Sequence, residues 1–155
     1  MAFDVMVPLR GVLAELNDDN DVRVVVLTGS GRGFSSGADH KSAGSVPHVA
    51  GLTRPTYALR SMEILDEVIL AMRRLHQPVI AAVNGAAIGG GLCLALAADI
   101  RVASADAYFR AAGINNGLTA SELGLSYLLP RAIGSSRAFD IMLTGRDEPM
   151  ARGSR

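Results

Sequence analysis

The chain is 155 residues long and 49% hydrophobic, which suffices for one domain with a buried core. Its 15 basic and 15 acidic residues cancel, so its charge gives no basis for binding nucleic acid or a membrane surface. A single cysteine, Cys93, excludes an internal disulfide and a cysteine-based zinc site. Because the N-terminus has an early Asp4 and no apolar segment behind a cationic one, we expect no secretory signal and a cytoplasmic location.

The first half of the sequence predicts two helices around a strand. Apolar residues at helical spacing predict an amphipathic helix over residues 3–17, with Pro8 in its first turn. The β-branched residues 23–28 predict a buried strand that leads into a glycine-rich segment, residues 29–39. Regularly spaced apolar residues predict a second, longer helix over residues 56–75.

The second half begins with the segment PVIAAVNGAAIGGGLCLALAAD. It predicts a buried strand over residues 79–83, a turn, three consecutive glycines and an apolar helix over residues 92–98. A third strand is predicted over residues 100–103. Beyond it, two more helices are predicted over residues 124–129 and 135–143.

The order of these elements favours one architecture. Pro130 and Gly134 are expected to separate the last two helices. No repeat, low-complexity tract or linker interrupts the chain, so it is predicted to form a single domain. Strands that alternate with helices favour an α/β fold with a parallel sheet.

Glycines follow two of the predicted strands and indicate a chemistry. The triplet Gly89-Gly90-Gly91 leaves backbone N–H groups bare at the positive end of the next helix, where they stabilise negative charge on an oxygen. The same glycines also suit a helix that packs closely against its strand, and the triplet alone leaves both interpretations open. Residues 29–39 bring small residues to a second strand end, and an oxyanion or enolate intermediate needs two N–H donors.

Several blocks of the sequence resemble the enoyl-CoA hydratase/isomerase (crotonase) family. They are GFSSGADHKS, then PVIAAVNGAAIGGG followed by AADIRVAS, and finally ELGLSYLLPRAIGSSRAFDIMLTGR. They lie in the family's order and at its separations over residues 3–146. The resemblance implies an α/β fold of the ClpP/crotonase type, a spiral of ββα units, and an acyl-CoA thioester as the molecule that the protein binds.

Both ends of the chain depart from the family pattern. The family's first strands and its C-terminal helical trimerisation region have no counterpart, and residues 147–155 diverge. We therefore expect a single partial crotonase-like domain over residues 1–155, and a truncated product, a gene fragment and a frameshifted sequence stay open as explanations. The resemblance implies a homo-oligomer, a trimer or hexamer, but the helices that would build it are missing.

Carried onto this sequence, the family's oxyanion hole falls on the backbone N–H groups of Ala38 and Gly90. The resemblance implies further substrate contacts, which are Ser36, Gly37, Asp39, His40, Gly89, Gly91, Cys93 and Gly113. Asp39 is expected to cap the segment after Ala38 and not to act as an acid. Coenzyme A enters as part of the substrate, so no separate cofactor and no metal is expected.

The family's two hydratase glutamates are absent from this sequence. Carried over from the resemblance, their positions fall on Cys93 and on or next to Gly113, and neither Gly113 nor Ile114 is titratable. Adding water across a double bond needs a base for the water and an acid for the α-carbon. The remaining carboxylate near the site is Glu122, which has two interpretations. It could shuttle a proton between carbons, as in a double-bond isomerase, or complement the dipole of the next helix, with Thr119 or Ser121 as cap. The sequence favours the second, structural role.

These features predict an acyl-CoA-binding enzyme of the enoyl-CoA hydratase/isomerase type. It is expected to stabilise a thioester enolate in fatty-acid or related acyl-CoA metabolism. Isomerisation or thioester hydrolysis fits the residues better than hydration does. Two alternatives stay open, a catalytically silent acyl-CoA-binding protein and a non-functional fragment. Cys93 is expected to serve packing and not to act as a nucleophile.

Overall fold

The computed structural model describes residues 2–39, 41–119 and 121–149. Within these residues, helices and strands alternate along most of the chain. They are α1 (Phe3–Asp18), β1 (Val25–Thr28), α2 (Arg54–Arg74), β2 (Val79–Val83), β3 (Ala87–Ile88), α3 (Gly90–Ala97), β4 (Ile100–Ala103), β5 (Tyr108–Arg110), α4 (Leu125–Ile133), α5 (Ser135–Thr144) and β6 (Asp147–Pro149). Two short 3-10 turns, Ile114–Asn116 and Glu122–Gly124, precede α4.

The first sheet has the strand order β1-β2-β4, and both pairings are parallel. In its central row, Val26 pairs with Ile80, which pairs with Ile100. Parallel neighbours need a crossover, and α2 and α3 lie in the two connections. This arrangement agrees with the predicted parallel α/β sheet, and it brings the carboxyl ends of β1 and β2 side by side.

Strand β1 corrects the prediction of a buried strand over residues 23–28. It begins at Val25, and its residues alternate between partly buried and exposed positions. Val24 and Val26 are 45% and 58% exposed, whereas Leu27 packs against the core. Within the described residues β1 is an edge strand with one face covered, and an alternating pattern is typical of that position.

The sequence did not predict the second sheet, which has the order β3-β5-β6. Strand β3 pairs parallel with β5, and β5 pairs antiparallel with β6. Each strand has only two or three residues, which is too short for a period of two to be recognised. β3 matters for the site, because it connects the turn after β2 to the first residue of α3.

Two prolines lie inside helices, contrary to prediction. α1 begins at Phe3, so Pro8 is in its interior and not in its first turn. Pro130 lies within α4, and only Gly134 separates α4 from α5. A proline removes one backbone hydrogen bond, and both helices bury apolar side chains that offset this loss.

Helix α3 lies at the centre of the core. It begins at Gly90, two residues earlier than predicted, and every residue from 91 to 97 is buried. Met72 of α2 and Leu129 of α4 belong to the same core cluster. None of the described helices combines the length and the apolar character that crossing a membrane requires. A helix that is apolar on all sides is typical of a core position, and it fixes where its N-terminus lies.

Candidate active site

The side chain of Asn84, in the turn after β2, connects the two glycine-rich segments. Its amide nitrogen donates hydrogen bonds to the carbonyl oxygens of Gly31 and Gly33, at 3.0 and 3.3 Å. Its amide oxygen accepts a hydrogen bond from the backbone N–H of Gly29 at 3.2 Å. One side chain thus satisfies the backbone of the loop after β1 and holds that loop beside β2.

The loop after β1 then runs alongside β3. Ser35 forms a parallel bridge with Ala87, and the backbone N–H of Ile88 donates to the Ser35 carbonyl oxygen at 2.9 Å. A side chain at Gly91 would place its Cβ 2.3 Å from the same Ser35 oxygen, and at Gly37 it would lie 2.7 Å from the Ile88 oxygen. The two backbones therefore approach so closely that only glycine fits at these positions.

This approach brings Ala38 and Gly90 to one place. Gly37 precedes Ala38, and Gly89 precedes Gly90. Both glycines have positive φ angles, +82° and +53°, so the chain turns sharply just before each of the two donor residues. Gly90 is the first residue of α3, where backbone N–H groups have no partner within the helix. Among the described residues, neither the N–H of Ala38 nor that of Gly90 donates a backbone hydrogen bond.

Both residues line a cavity of about 190 Å³. One group of lining residues, which we call the glycine wall, consists of Ser36, Gly37, Ala38, Gly89 and Gly90. A second group, the glutamate wall, consists of Ala112, Gly113, Asn116, Leu118, Glu122, Leu123 and Leu125. Met62 and Leu65 of α2 and Cys93 of α3 complete the lining. The cavity thus combines backbone donors, one carboxylate and an otherwise largely apolar lining.

Glu122 lies in a 3-10 turn and outside the first turn of α4. Gly124, in the left-handed conformation, is the N-cap of α4, and Leu123 before it has a φ of +53°. The hydroxyl of Thr119 donates to the Glu122 carboxylate at 3.5 Å and lies 2.6 Å from the Ser121 hydroxyl. Ser121 makes no side-chain cap hydrogen bond. The expected place in the first turn of α4 and the expected cap by Ser121 are therefore wrong, and Glu122 lies two residues before the N-cap of that helix.

Cys93 is buried, at 2% exposure, in the first half of α3. Its thiol donates to the backbone carbonyl oxygen of Glu122, with a sulfur–oxygen distance of 3.6 Å. Burial, together with the nearby charges of Glu122 and Asp66, raises the pKa of the Cys93 thiol to about 12. A thiol that stays protonated at neutral pH is a poor nucleophile, in agreement with the expected packing role.

The structure brings together most of the residues that the resemblance implied. Asp39 is not among the residues that line the cavity, and its carboxylate accepts hydrogen bonds from the backbone N–H groups of Lys41 and Ser42, both at 2.9 Å. Asp39 therefore caps its own loop, as expected. Gly91 also lies outside the lining and packs against Ser35. His40 is outside the described residues, and among those described no group of three His, Cys, Asp or Glu side chains could hold a metal.

Sequence reasoning missed several residues that line the cavity. They are Met62, Leu65, Ala112, Asn116, Leu118, Leu123 and Leu125. Met62 and Leu65 are among the regularly spaced apolar residues that predict the second helix, and this spacing indicates a face buried in the core. A helix face that turns from the core into a cavity keeps the same spacing, so the sequence carries no signal that separates the two.

Comparison with proteins of known sequence finds relatives that match almost all of this chain. The model of the family described as enoyl-CoA hydratase/isomerase matches residues 3–151. A probable enoyl-CoA hydratase of Mycobacterium bovis is 86% identical over 147 residues, which are 95% of this chain and 52% of that protein. A peroxisomal Delta(3,5)-Delta(2,4)-dienoyl-CoA isomerase of Arabidopsis thaliana is 33% identical, with 94% of this chain and 54% of that protein covered.

Solved structures are similar over the same extent. A probable enoyl-CoA hydratase/isomerase from Mycobacterium abscessus has a TM-score of 0.90 and 73% identity, covering 97% of this chain and 55% of that one. A monofunctional enoyl CoA isomerase from M. smegmatis has a TM-score of 0.76 and 66% identity, covering 97% of this chain and 59% of that one. The chain spans about half the length of the curated relatives that it matches.

Proposed function

Because this chain belongs to the enoyl-CoA hydratase/isomerase family, we propose that its cavity binds an acyl-CoA thioester and moves a carbon–carbon double bond. The observation that carries the proposal is that Ala38, Gly90 and Glu122 all line one cavity. The thioester oxygen accepts hydrogen bonds from the N–H groups of Ala38 and Gly90. The Glu122 carboxylate then faces the first carbons of the acyl chain.

The reaction needs one carboxylate. Glu122 takes a proton from the carbon between the thioester carbonyl and the double bond, and the electrons of that C–H bond form an enolate conjugated with the alkene. The N–H groups of Ala38 and Gly90 stabilise the charge that develops on the enolate oxygen. Protonated Glu122 returns the proton to the far carbon of the former alkene, and the double bond ends in conjugation with the thioester. Since the group that removes the proton also returns it, no second acid or base is required.

The residues of the cavity favour isomerisation over hydration. The two positions that hold glutamates in hydratases are Cys93 and Gly113, and both line the cavity. With its pKa raised to about 12, the Cys93 thiol stays protonated, and Gly113 has no side chain to activate water. The similarity to a monofunctional enoyl CoA isomerase supports the same reaction.

The test compares the Glu122→Gln variant with the wild-type chain. A 3-enoyl-CoA serves as substrate, and the conjugated 2-enoyl thioester is followed by its ultraviolet absorbance. We expect kcat to fall by about 10²–10⁴-fold, the usual contribution of a general acid–base group. Because glutamine keeps the volume of the side chain, calorimetry should find the affinity for a saturated acyl-CoA unchanged. The Glu15→Gln variant, on the exposed side of α1, is the matched control and should keep wild-type turnover.

Other outcomes identify other functions. If Glu122→Gln kept wild-type turnover, Glu122 would not be the acid–base group. Hydration of a 2-enoyl-CoA faster than isomerisation would contradict the assignment of the reaction. Acyl-CoA binding without turnover of either substrate would identify the wild-type chain as a binding protein.

A further inference from the structure

The peptide unit between Glu122 and Leu123 has partners on both of its polar groups. Its carbonyl oxygen, which belongs to Glu122, accepts a hydrogen bond from the Cys93 thiol of α3 at 3.6 Å. Its N–H, which belongs to Leu123, is close enough to Asp66 on α2 to lower the pKa of that carboxyl. Two helices of the core therefore approach the two polar groups of one peptide plane.

The backbone at this point is strained and needs such support. Leu123 has a φ of +53°, a conformation that is unfavourable for a side chain with a Cβ. Strained backbone of this kind persists only where the surrounding contacts fix it. Leu123 is only 6% exposed, so burial adds to the hydrogen bond from Cys93. Glu122 is the residue directly before the strained one, and its direction depends on this peptide plane.

We propose that Asp66 accepts a hydrogen bond from the Leu123 N–H, and that Asp66 and Cys93 are positioning residues, which orient the peptide after Glu122 and so keep its carboxylate aimed into the cavity. The inference rests on the proposed function, because it assigns a purpose to the direction of Glu122. Neither residue touches the reacting atoms in this role. Cys93 lines the cavity at a position where hydratases carry a catalytic glutamate, and here its thiol serves as a hydrogen-bond donor.

The two positions allow substitutions that remove or keep the hydrogen bond. Cys93→Ala removes the donor, whereas Cys93→Ser keeps an O–H donor in a side chain of similar size. Asp66→Ala removes the acceptor, whereas Asp66→Asn keeps a carbonyl oxygen. Each alanine variant thus has a matched control that restores the hydrogen bond. If the two side chains served packing alone, restoring the hydrogen bond with serine or asparagine would not recover what the alanine variants lose.

The first measurement follows hydrogen exchange of the Leu123 backbone amide by NMR in the 155-residue chain. We expect Asp66→Ala to speed this exchange by about tenfold, as the loss of one charge-assisted hydrogen bond predicts. The carboxyl ¹³C signal of Glu122 should shift in both alanine variants and stay near its wild-type position in Cys93→Ser and Asp66→Asn. The amide of Val68, buried in α2, reports whether each variant is folded.

The second measurement is the kinetics of 3-enoyl-CoA isomerisation. In both alanine variants we expect kcat to fall about tenfold with KM unchanged, because the base is misdirected while the thioester site is intact. Cys93→Ser and Asp66→Asn should recover most of the lost kcat. Equal losses of kcat in the alanine and the polar variants would overturn the proposal. It would also be overturned if Leu123 exchange and the Glu122 ¹³C signal stayed unchanged in both alanine variants.

The two proposals fail in different ways. If the wild-type chain lacked turnover but the variants showed the expected exchange and ¹³C changes, the proposed isomerase function would be contradicted. The positioning role of Asp66 and Cys93 would still be supported. If the wild-type chain turned over normally but exchange of the Leu123 amide did not respond to Asp66→Ala, the isomerase function would be supported. The positioning role of Asp66 would be overturned.

Discussion

The two walls of the cavity differ in what they present and in how they are held. The glycine wall presents backbone N–H groups, and backbone contacts with no room for a side chain fix its place. The glutamate wall presents a side chain from a short 3-10 turn. The Cys93 thiol donates a hydrogen bond to that turn, and we propose that the Asp66 carboxylate accepts one from it.

The difference predicts different consequences of mutation. Substitutions that crowd the glycine wall act on stability, because the backbone there cannot move away from its neighbour. Substitutions in the glutamate wall act on activity, because that wall depends on the direction and charge of a few polar side chains. Each wall can therefore be tested by its own kind of variant, a crowding substitution for the glycine wall and a change of a polar side chain for the glutamate wall.

The largest effect is expected for Gly91→Ala, because Gly91 directly follows Gly90 of the glycine wall and packs against Ser35. The added Cβ would lie 2.3 Å from the backbone oxygen of Ser35 and 2.8 Å from its Cβ, and neither atom can give way without separating the loop from α3. We expect the free energy of unfolding to fall by about 3 kcal/mol or more, at the upper end of the cost of overpacking. Urea denaturation measures this loss.

Gly11→Ala is the matched control for that variant. Gly11 also lies in a helix, α1, but an added Cβ meets no atom within 4 Å. Alanine favours the helix at both positions, so here we expect a gain of about 0.5–1 kcal/mol. If the two variants had the same stability, the close approach at Gly91 would not be a constraint on the fold.

The next effect concerns Cys93, which lies between the two walls. With a pKa of about 12 in the folded chain and 9.0 as the ordinary value, its thiolate fraction at pH 8 is about 10³-fold lower in the folded state. We expect iodoacetamide to modify Cys93 in urea within minutes and to leave it largely unmodified in the native protein. Mass spectrometry of the two samples measures the difference. Rapid modification of the native protein would contradict the burial of the thiol.

The glycine wall could be predicted because its signals are local in the sequence. The strand over residues 79–83, the turn after it and the glycine triplet lie within 13 residues, and the family motif covers all of them. The predicted family and its crotonase-like fold are confirmed by the family model and by the solved structures. The start of α3 at Gly90 was missed by two residues, because glycine has a low helix propensity that tertiary packing overrides here.

The glutamate wall could be predicted only in part. Glu122 was recognised as a candidate, but its partners Cys93 and Asp66 come from two other helices, 29 residues away in the case of Cys93. No periodicity reports a contact at that separation. The positive φ of Leu123 also has no sequence signal, since a leucine at that position indicates a core residue and not a turn. Contacts across the fold, and not local propensity, determine this wall.

The smallest effect expected is a change in the pH dependence of stability in Asp66→Asn. Burial, and then repulsion by Glu63, raise the pKa of Asp66 above its ordinary 3.8. The folded state therefore binds this proton more tightly, and the stability it contributes is full below pH 3.8 and is lost as the pH rises through the raised pKa. Asparagine cannot ionise, so the variant should lack this decline and be at least as stable as the wild type at neutral pH. Urea denaturation from about pH 4 to pH 7 measures it, with Asp106→Asn on an exposed loop as the control for loss of one negative charge. Parallel curves for wild type and Asp66→Asn would mean that burial and Glu63 do not raise the pKa of Asp66 in the folded chain.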